Sequence, residues 1–354
     1  MKIKKIASLF AATAMVLSLA ACGGSGSGST STTAAAAGNA PAAAASGDTM
    51  TITVAHSLFE GTPEHNGILK FKEIVEEKSG GRMQVQVYPN STLGGESTAV
   101  EGVQNNNITM TFANTALLSN YVPQCEVFDL PFLFDSAESA STVLNDASFI
   151  DDFGKNFSGA HLQLVGTSVT GFRWMTANKP INSFEDMNGL KIRTMENKNH
   201  MTLWNSLGTN ATPMSGAELF TALQQGTVEG QENPISTILN GKIYEVNNYC
   251  VDTRHVISVS AWLVNDQWYA GLSEEDKAIF DEAIKTCVEF ATSENASQEA
   301  ENIKALEEKG MTIVRPDDAW YASMKDAVGD SVEKLVREDI GDEAVDSIVA
   351  VAGK

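Results

Sequence analysis

Apolar and polar residues alternate at period two through Met50-Thr51-Ile52-Thr53-Val54-Ala55-His56, so this stretch reads as a strand with one buried face. Thr62-Pro63-Glu64 then carries the marks of a helix start: an N-cap, a proline at the first helical position and an acid in the first turn. Ile68, Leu69, Phe71, Ile74 and Val75 form one apolar helical face, and Gly80-Gly81 ends the helix. Met83, Val85 and Val87 give a second alternating strand. Leu93-Gly94-Gly95-Glu96 turns into a helix to about Gln104, and Ile108 to Phe112 is a third strand. Strands and helices alternating at these spacings predict a parallel α/β sheet.

The pattern resumes beyond Asp129-Leu130-Pro131-Phe132, where His161 to Thr176 reads as one long strand or two in series. In Gly189-Leu190-Lys191-Ile192-Arg193-Thr194, two cations alternate with Leu190, Ile192 and Thr194. Arg193 is thereby given a direction, and Lys191 is expected to point away from it into solvent. A helix carrying Met201, Leu203, Trp204 and Leu207 follows. Ser215-Gly216-Ala217-Glu218 has capping-box spacing ahead of Leu219, Phe220 and Leu223. Gly226 ends that helix, and Thr227 to Gln231 starts a short strand. Ser258 to Val264 is a strand, Leu272-Ser273 opens a helix to about Lys309, and Met311 to Val314 is a short strand before acidic helix. The folded part, from about Asp48 to Lys354, is large for one core and predicts two lobes.

The N-terminus is of another kind. Lys2, Lys4 and Lys5 precede an uncharged run from Ile6 to Ala21, which ends in Leu19-Ala20-Ala21-Cys22. This is an export signal, shorter than the ~20 apolar residues of a permanent membrane span. The cysteine after Leu-Ala-Ala resembles the bacterial lipobox, which makes Cys22 the expected lipidated first mature residue. Gly23 to Gly47 has no charge and no large apolar side chain, so it is a tether rather than a fold. Removing residues 1–21 takes three lysines and no acid, and lowers the formal net charge from −21 to −24. Such acidity argues against nucleic acid and anionic lipid as direct partners, leaving the lipid anchor as the membrane contact.

Catalytic signatures do not emerge. No H-E-x-x-H, G-x-x-x-x-G-K, G-x-S-x-G or G-x-G-x-x-G occurs, and the five histidines are scattered. Cys125, Cys250 and Cys287 form no C-x-x-C and read as core thiols, with a Cys125–Cys250 or similar bridge left open. A non-catalytic, exported binder without cofactor or metal is the reading of the residues, with an extracellular lyase or hydrolase as its rival.

Several motifs in order narrow this further: Val54-Ala55-His56, Val87-Tyr88-Pro89 with Leu93-Gly94, Leu130-Pro131-Phe132, Gly171-Phe172-Arg173, Gly189 to Arg193, and Glu218 to Gly226 leading into Gly230-Gln231-Glu232-Asn233-Pro234. Together they resemble the solute-binding proteins of tripartite ATP-independent periplasmic (TRAP) transporters, the DctP family, across essentially all of Asp48 to Lys354. The resemblance implies a type II periplasmic-binding-protein fold: two α/β lobes, hinge strands and a long interlobe helix. It also implies capture of a small organic carboxylate for an ion-driven TRAP permease, outside the cytoplasm. The boundaries expected are 1–21 signal, 22–48 lipidated Cys22 and linker, 49–170 with 259–298 for lobe I, 171–258 with 299–326 for lobe II, and 327–354 a C-terminal helical segment. A binding protein for an ATP-driven importer, or a ligand-presenting partner of a sensor, is the alternative.

By the same resemblance, Arg193 forms the two-pronged bond to the ligand carboxylate, and Arg173 matches a second family arginine near the lobe crossing. Asn233 offers an amide to the ligand, and His56 and Asn114 end first-lobe strands that face the cleft in the family. Sialic-acid-binding relatives carry an aromatic where this chain has Gly216 and a small amide where it has Glu196. With Glu196 facing the cleft, a bare dicarboxylate is repelled and a monocarboxylate with hydroxyl or amino groups is favoured.

Overall fold

The structure, a computed structural model, describes residues 49–354, so the export signal, Cys22 and the tether lie outside the described residues. β1 (Met50–Ala55), α1 (Pro63–Lys78), β2 (Met83–Tyr88), α2 (Glu96–Gln104) and β3 (Met110–Asn114) build a parallel array ordered β2-β1-β3. This is the expected first lobe. Thr62 caps α1 and Pro63 fills its first position, and Ile68, Phe71 and Val75 are buried. Leu69, expected on that face, is 46% exposed. At about 100° per residue it points roughly 130° away from the mean direction of those three.

A short helix α3 (Thr115–Leu118), α4 (Ala137–Leu144) and α5 (Ala147–Gly154) lead to β4, a single strand from Leu162 to Ala177. The second lobe contains β5 (Lys191–Thr194), α6 (Lys198–Ser206), β6 (Asn210–Pro213), α7 (Gly216–Gln224), β7 (Gly230–Pro234), α8 (Ile235–Asn240) and β8 (Tyr249–Val251). β9 (Ile257–Asn265) and α9 (Asp266–Ala270) return to the first lobe. α10 (Glu274–Glu308) follows, then β10 (Thr312–Val314), α11 (Asp318–Val328), α12 (Ser331–Ile340) and α13 (Asp342–Val351).

Two strands and one helix join the lobes. β4 pairs antiparallel with β9 from Leu162 to Phe172, and its last five residues pair with β7 instead. The sheet order is therefore β2-β1-β3-β9-β4-β7-β5-β6. The handover falls at a bulge between Val169 and Gly171, where Gly171 has φ +115°, a conformation β-branched residues reject. Along α10, Phe280, Ile284 and Cys287 sit in the first-lobe core, whereas Leu306 packs with Trp174 and Ile238 in the second. Close approach of α1 to α10 requires Gly67, because a Cβ there would lie 2.9 Å from the Cys287 carbonyl oxygen.

Three local expectations are corrected. β7 starts at Gly230 rather than Thr227, because the turn closing α7 holds the Thr227 N–H on the Ala222 carbonyl. Ser215 is the N-cap of α7, but its hydroxyl makes no capping bond; it lies 3.0 Å from where a Cβ on Gly95 would stand, across the cleft. All three cysteines are free and buried, and Cys125, Cys250 and Cys287 belong to three different core clusters, so no bridge joins them.

Candidate ligand site between the lobes

β5 positions the central cation. Leu190, Ile192 and Thr194 are fully buried on one face, and Arg193 leaves from the other, 4% exposed. Lys191 is solvent-exposed as expected, yet strand alternation puts it on the same face as Arg193. Position along the strand separates them: Lys191 sits at its outer end, and Arg193 two residues further in. The Arg193 Nε and Nη2 donate to the Met214 carbonyl oxygen at 2.8 and 2.6 Å. Among the described residues, no carboxylate lies within 4.0 Å of this guanidinium. Burial lowers its pKa to about 10, a fall that Glu232 and Glu96 offset only in part.

Arg173, on β4 just past the Gly171 bulge, is equally buried but already paired. It grips the Glu232 carboxylate through Nε and Nη2, and Nη2 also donates to Asn233 Oδ1 at 3.1 Å. His255 Nε2 lies 3.1 Å from Glu232 Oε2, and His200 Nδ1 is 3.8 Å from Oε1. Burial alone would raise the Glu232 pKa, but Arg173, His200 and His255 hold it well below the usual carboxylate range. His200 responds in kind. Burial would discharge it, yet Asp129 and Glu232 hold it up at about 9, an imidazolium.

Asn114 ends β3 and caps α3 through Oδ1, while its Nδ2 donates to Ser258 Oγ at 2.8 Å. His56 is buried behind the cleft wall, stacked on Phe112 with ring centroids 5.0 Å apart and Nε2 3.2 Å from His65 Nδ1. Burial and then His65 push it down to about 3, so it is neutral. Glu196 is exposed at the mouth, where its backbone carbonyl accepts the Asn120 amide at 2.8 Å. Asn197 reaches the Ala116 carbonyl at 2.7 Å, and Met195 packs on Ala116 and Leu117, so the two lobes are in contact.

A cavity of about 60 Å³ lies inside this closure. Glu96, Phe112, Asn114 and Ser258 wall it on one side; Arg173, Met195, Asn233 and Thr237 wall it on the other. Thus Arg173, Asn114 and Asn233 share a wall, Arg193 stands beside it next to Gly216, His56 backs it, and Glu196 lies at the rim. Two participants were not foreseen. Glu232 stands inside the Gln231-Glu232-Asn233-Pro234 motif but reveals itself only by pairing with Arg173. Glu96 reads in sequence as an ordinary first-turn acid. A larger cavity of about 590 Å³ near α4, α5 and α13 includes Asp146 and Asp152 and no Lys or Arg, so it suits no carboxylate. Among the described residues, no cluster of three or more His, Cys, Asp or Glu could hold a metal ion.

Residues 54–339 match the family model for DctP, bacterial extracellular solute-binding protein, family 7. The chain belongs to this family. A solute-binding protein of Verminephrobacter eiseniae (strain EF01-2) is 35% identical over 253 residues, covering 71% of this chain and 75% of its own. The galactonate complex of the sugar acid binding protein DctPAm from Advenella mimigardefordensis strain DPN7T superposes with a TM-score of 0.83 at 30% identity, covering 86% of this chain and 98% of its own. A TRAP periplasmic solute binding protein from Polaromonas sp JS666, bound to D-erythronate, gives 0.80 at 34% identity, covering 85% and 98%. The DctP protein is accordingly a TRAP solute-binding protein of α/β periplasmic-binding-protein fold, and transport rather than turnover is its business.

Proposed function

We propose that this DctP protein captures a small monocarboxylate bearing hydroxyl or amino groups and hands it to an ion-driven TRAP permease. One observation carries the reading: Arg193 is a buried guanidinium with no carboxylate partner of its own, whereas the charge of Arg173 is already offset by Glu232. An unpaired buried cation is costly, and a ligand carboxylate removes that cost. The planar fork of guanidinium suits a carboxylate, and it stays charged where a lysine would shed its proton. Arg173 adds positive field, and the Asn233 and Asn114 amides supply polar contacts for the rest of the ligand. Galactonate and D-erythronate, held by the two related structures, are both hydroxylated monocarboxylates, which supports this class.

The lobe boundaries at 170/171 and 258/259, the Cys22 lipid anchor, and docking of the closed form on the permease belong to the same proposal. Arg193→Ala tests its centre. Truncating one side of a buried charge pair costs about 2–5 kcal/mol, so calorimetry should show affinity for the bound acid falling by more than about tenfold. A loss below about threefold, under 1 kcal/mol, refutes the assignment.

A further inference from the structure

Glu96 opens α2 directly after Gly94-Gly95, and its carboxyl group forms part of the interlobe cavity wall. One oxygen, Oε1, accepts the Asn114 backbone N–H. Among the described residues, no protein donor is bonded to the other. The charged groups facing Glu96 are Arg193 on β5, Arg173 on β4 and Glu196 at the mouth. Burial outweighs the two cations and pushes this carboxyl up to about 7, poised between charged and neutral.

Charge balance in the cleft then sorts ligands. Glu232 offsets Arg173, so Arg193 can neutralise one further carboxylate. A ligand with a single carboxylate uses that capacity and leaves Glu96 needing a donor. A second ligand carboxylate would set two anions against Glu96 and one spare cation, unless Glu96 first takes a proton.

We propose that Glu96 sets the substrate class of this cleft: its free oxygen accepts a hydrogen bond from a hydroxyl or ammonium group of a ligand whose one carboxylate sits on Arg193, and it turns away a second carboxylate. The proposal rests on the Arg193 reading and moves to Glu96 the discrimination that the sequence placed on exposed Glu196. It also separates the two ligand classes by pH. A hydroxyl donating to Glu96 favours the ionised carboxylate, so affinity for hydroxylated monocarboxylates rises as pH climbs through about 7. A dicarboxylate needs Glu96 protonated, so its affinity falls over the same interval.

The test is calorimetry at pH 6 and pH 8 with a panel of four- to six-carbon aldonates and a panel of four- to six-carbon dicarboxylates. For the native protein, the best aldonate should exceed the best dicarboxylate by at least about tenfold at pH 8, with the ratio shrinking at pH 6. Glu96→Gln keeps an acceptor for the Asn114 N–H; it should cut the pH 8 ratio by about tenfold and abolish its pH dependence. An unchanged ratio in a variant of unaltered melting temperature overturns the proposal, as does native preference for a dicarboxylate at pH 8. Should Glu96→Gln fail to fold, the native pH series decides alone, and parallel slopes for the two panels overturn it. If the native protein binds no carboxylate at all, the Arg193 reading falls first and takes this one with it.

Discussion

Two arginines twenty positions apart, equally buried, carry opposite assignments because their partners differ. Arg173 is locked to Glu232, within a network that continues through His255 and His200 to Asp129. Arg193 holds only a backbone carbonyl, and neutral oxygen leaves its charge uncompensated. The same network makes a pH prediction. The folded pKa of His200 is raised from 6.5 to about 9 by Asp129 and Glu232 despite its burial. A raised histidine pKa contributes stability that is fully present below 6.5 and lost as pH rises through about 9. Denaturant unfolding should therefore show the native protein more stable than His200→Gln at pH 6, with the gap closing by pH 9.5. A gap that is constant or widens with pH would mean that His200 is not charged in the fold.

Elements decide how the cleft opens. β4 and β9 run through both halves of the sheet, and α10 contributes to both cores, so the lobes can move only by bending these three. Gly171 marks the weakest point of β4, where the ladder changes partner. The cavity of about 60 Å³ holds roughly two waters at ~30 Å³ each, far less than a sugar acid. Ligand entry therefore requires separation of the lobes, and a bound carboxylate must favour the shut arrangement over the open one. Small-angle scattering should show the radius of gyration falling when a bound acid is added to the native protein. Arg193→Ala should show no such fall at the same ligand concentration. Identical curves for the native protein with and without ligand would rule out closure by bending.

At the scale of the whole molecule, the expected mature charge of −24 repels anions at long range, yet it is screened within about 8 Å at physiological salt. Contact with a buried guanidinium, at a few ångströms, outweighs it. Among the described residues no helix is long and apolar enough to cross a membrane, so retention near a permease depends on the N-terminal segment. Cys22→Ser should move the exported protein from the membrane fraction to the soluble one. Unchanged fractionation would argue against lipid at that position.

Periodicity and local chemistry determined much of this protein. Alternation in Met50 to His56, the Thr62-Pro63 cap and the Gly80-Gly81 stop needed no tertiary information, because strand faces and helix ends are local. Arg193 could be marked from the alternation of its neighbours, and by resemblance the family's residue positions came with it. The tertiary structure alone decided what each buried charge is paired with. Glu96 and Glu196 look alike as sequence, yet one lines the cavity and the other stands in solvent. Glu232 becomes a counter-ion only because β4 and β7 lie side by side. Backbone conformation follows from near neighbours along the chain, whereas the electrostatic state of a buried side chain follows from groups a hundred residues away.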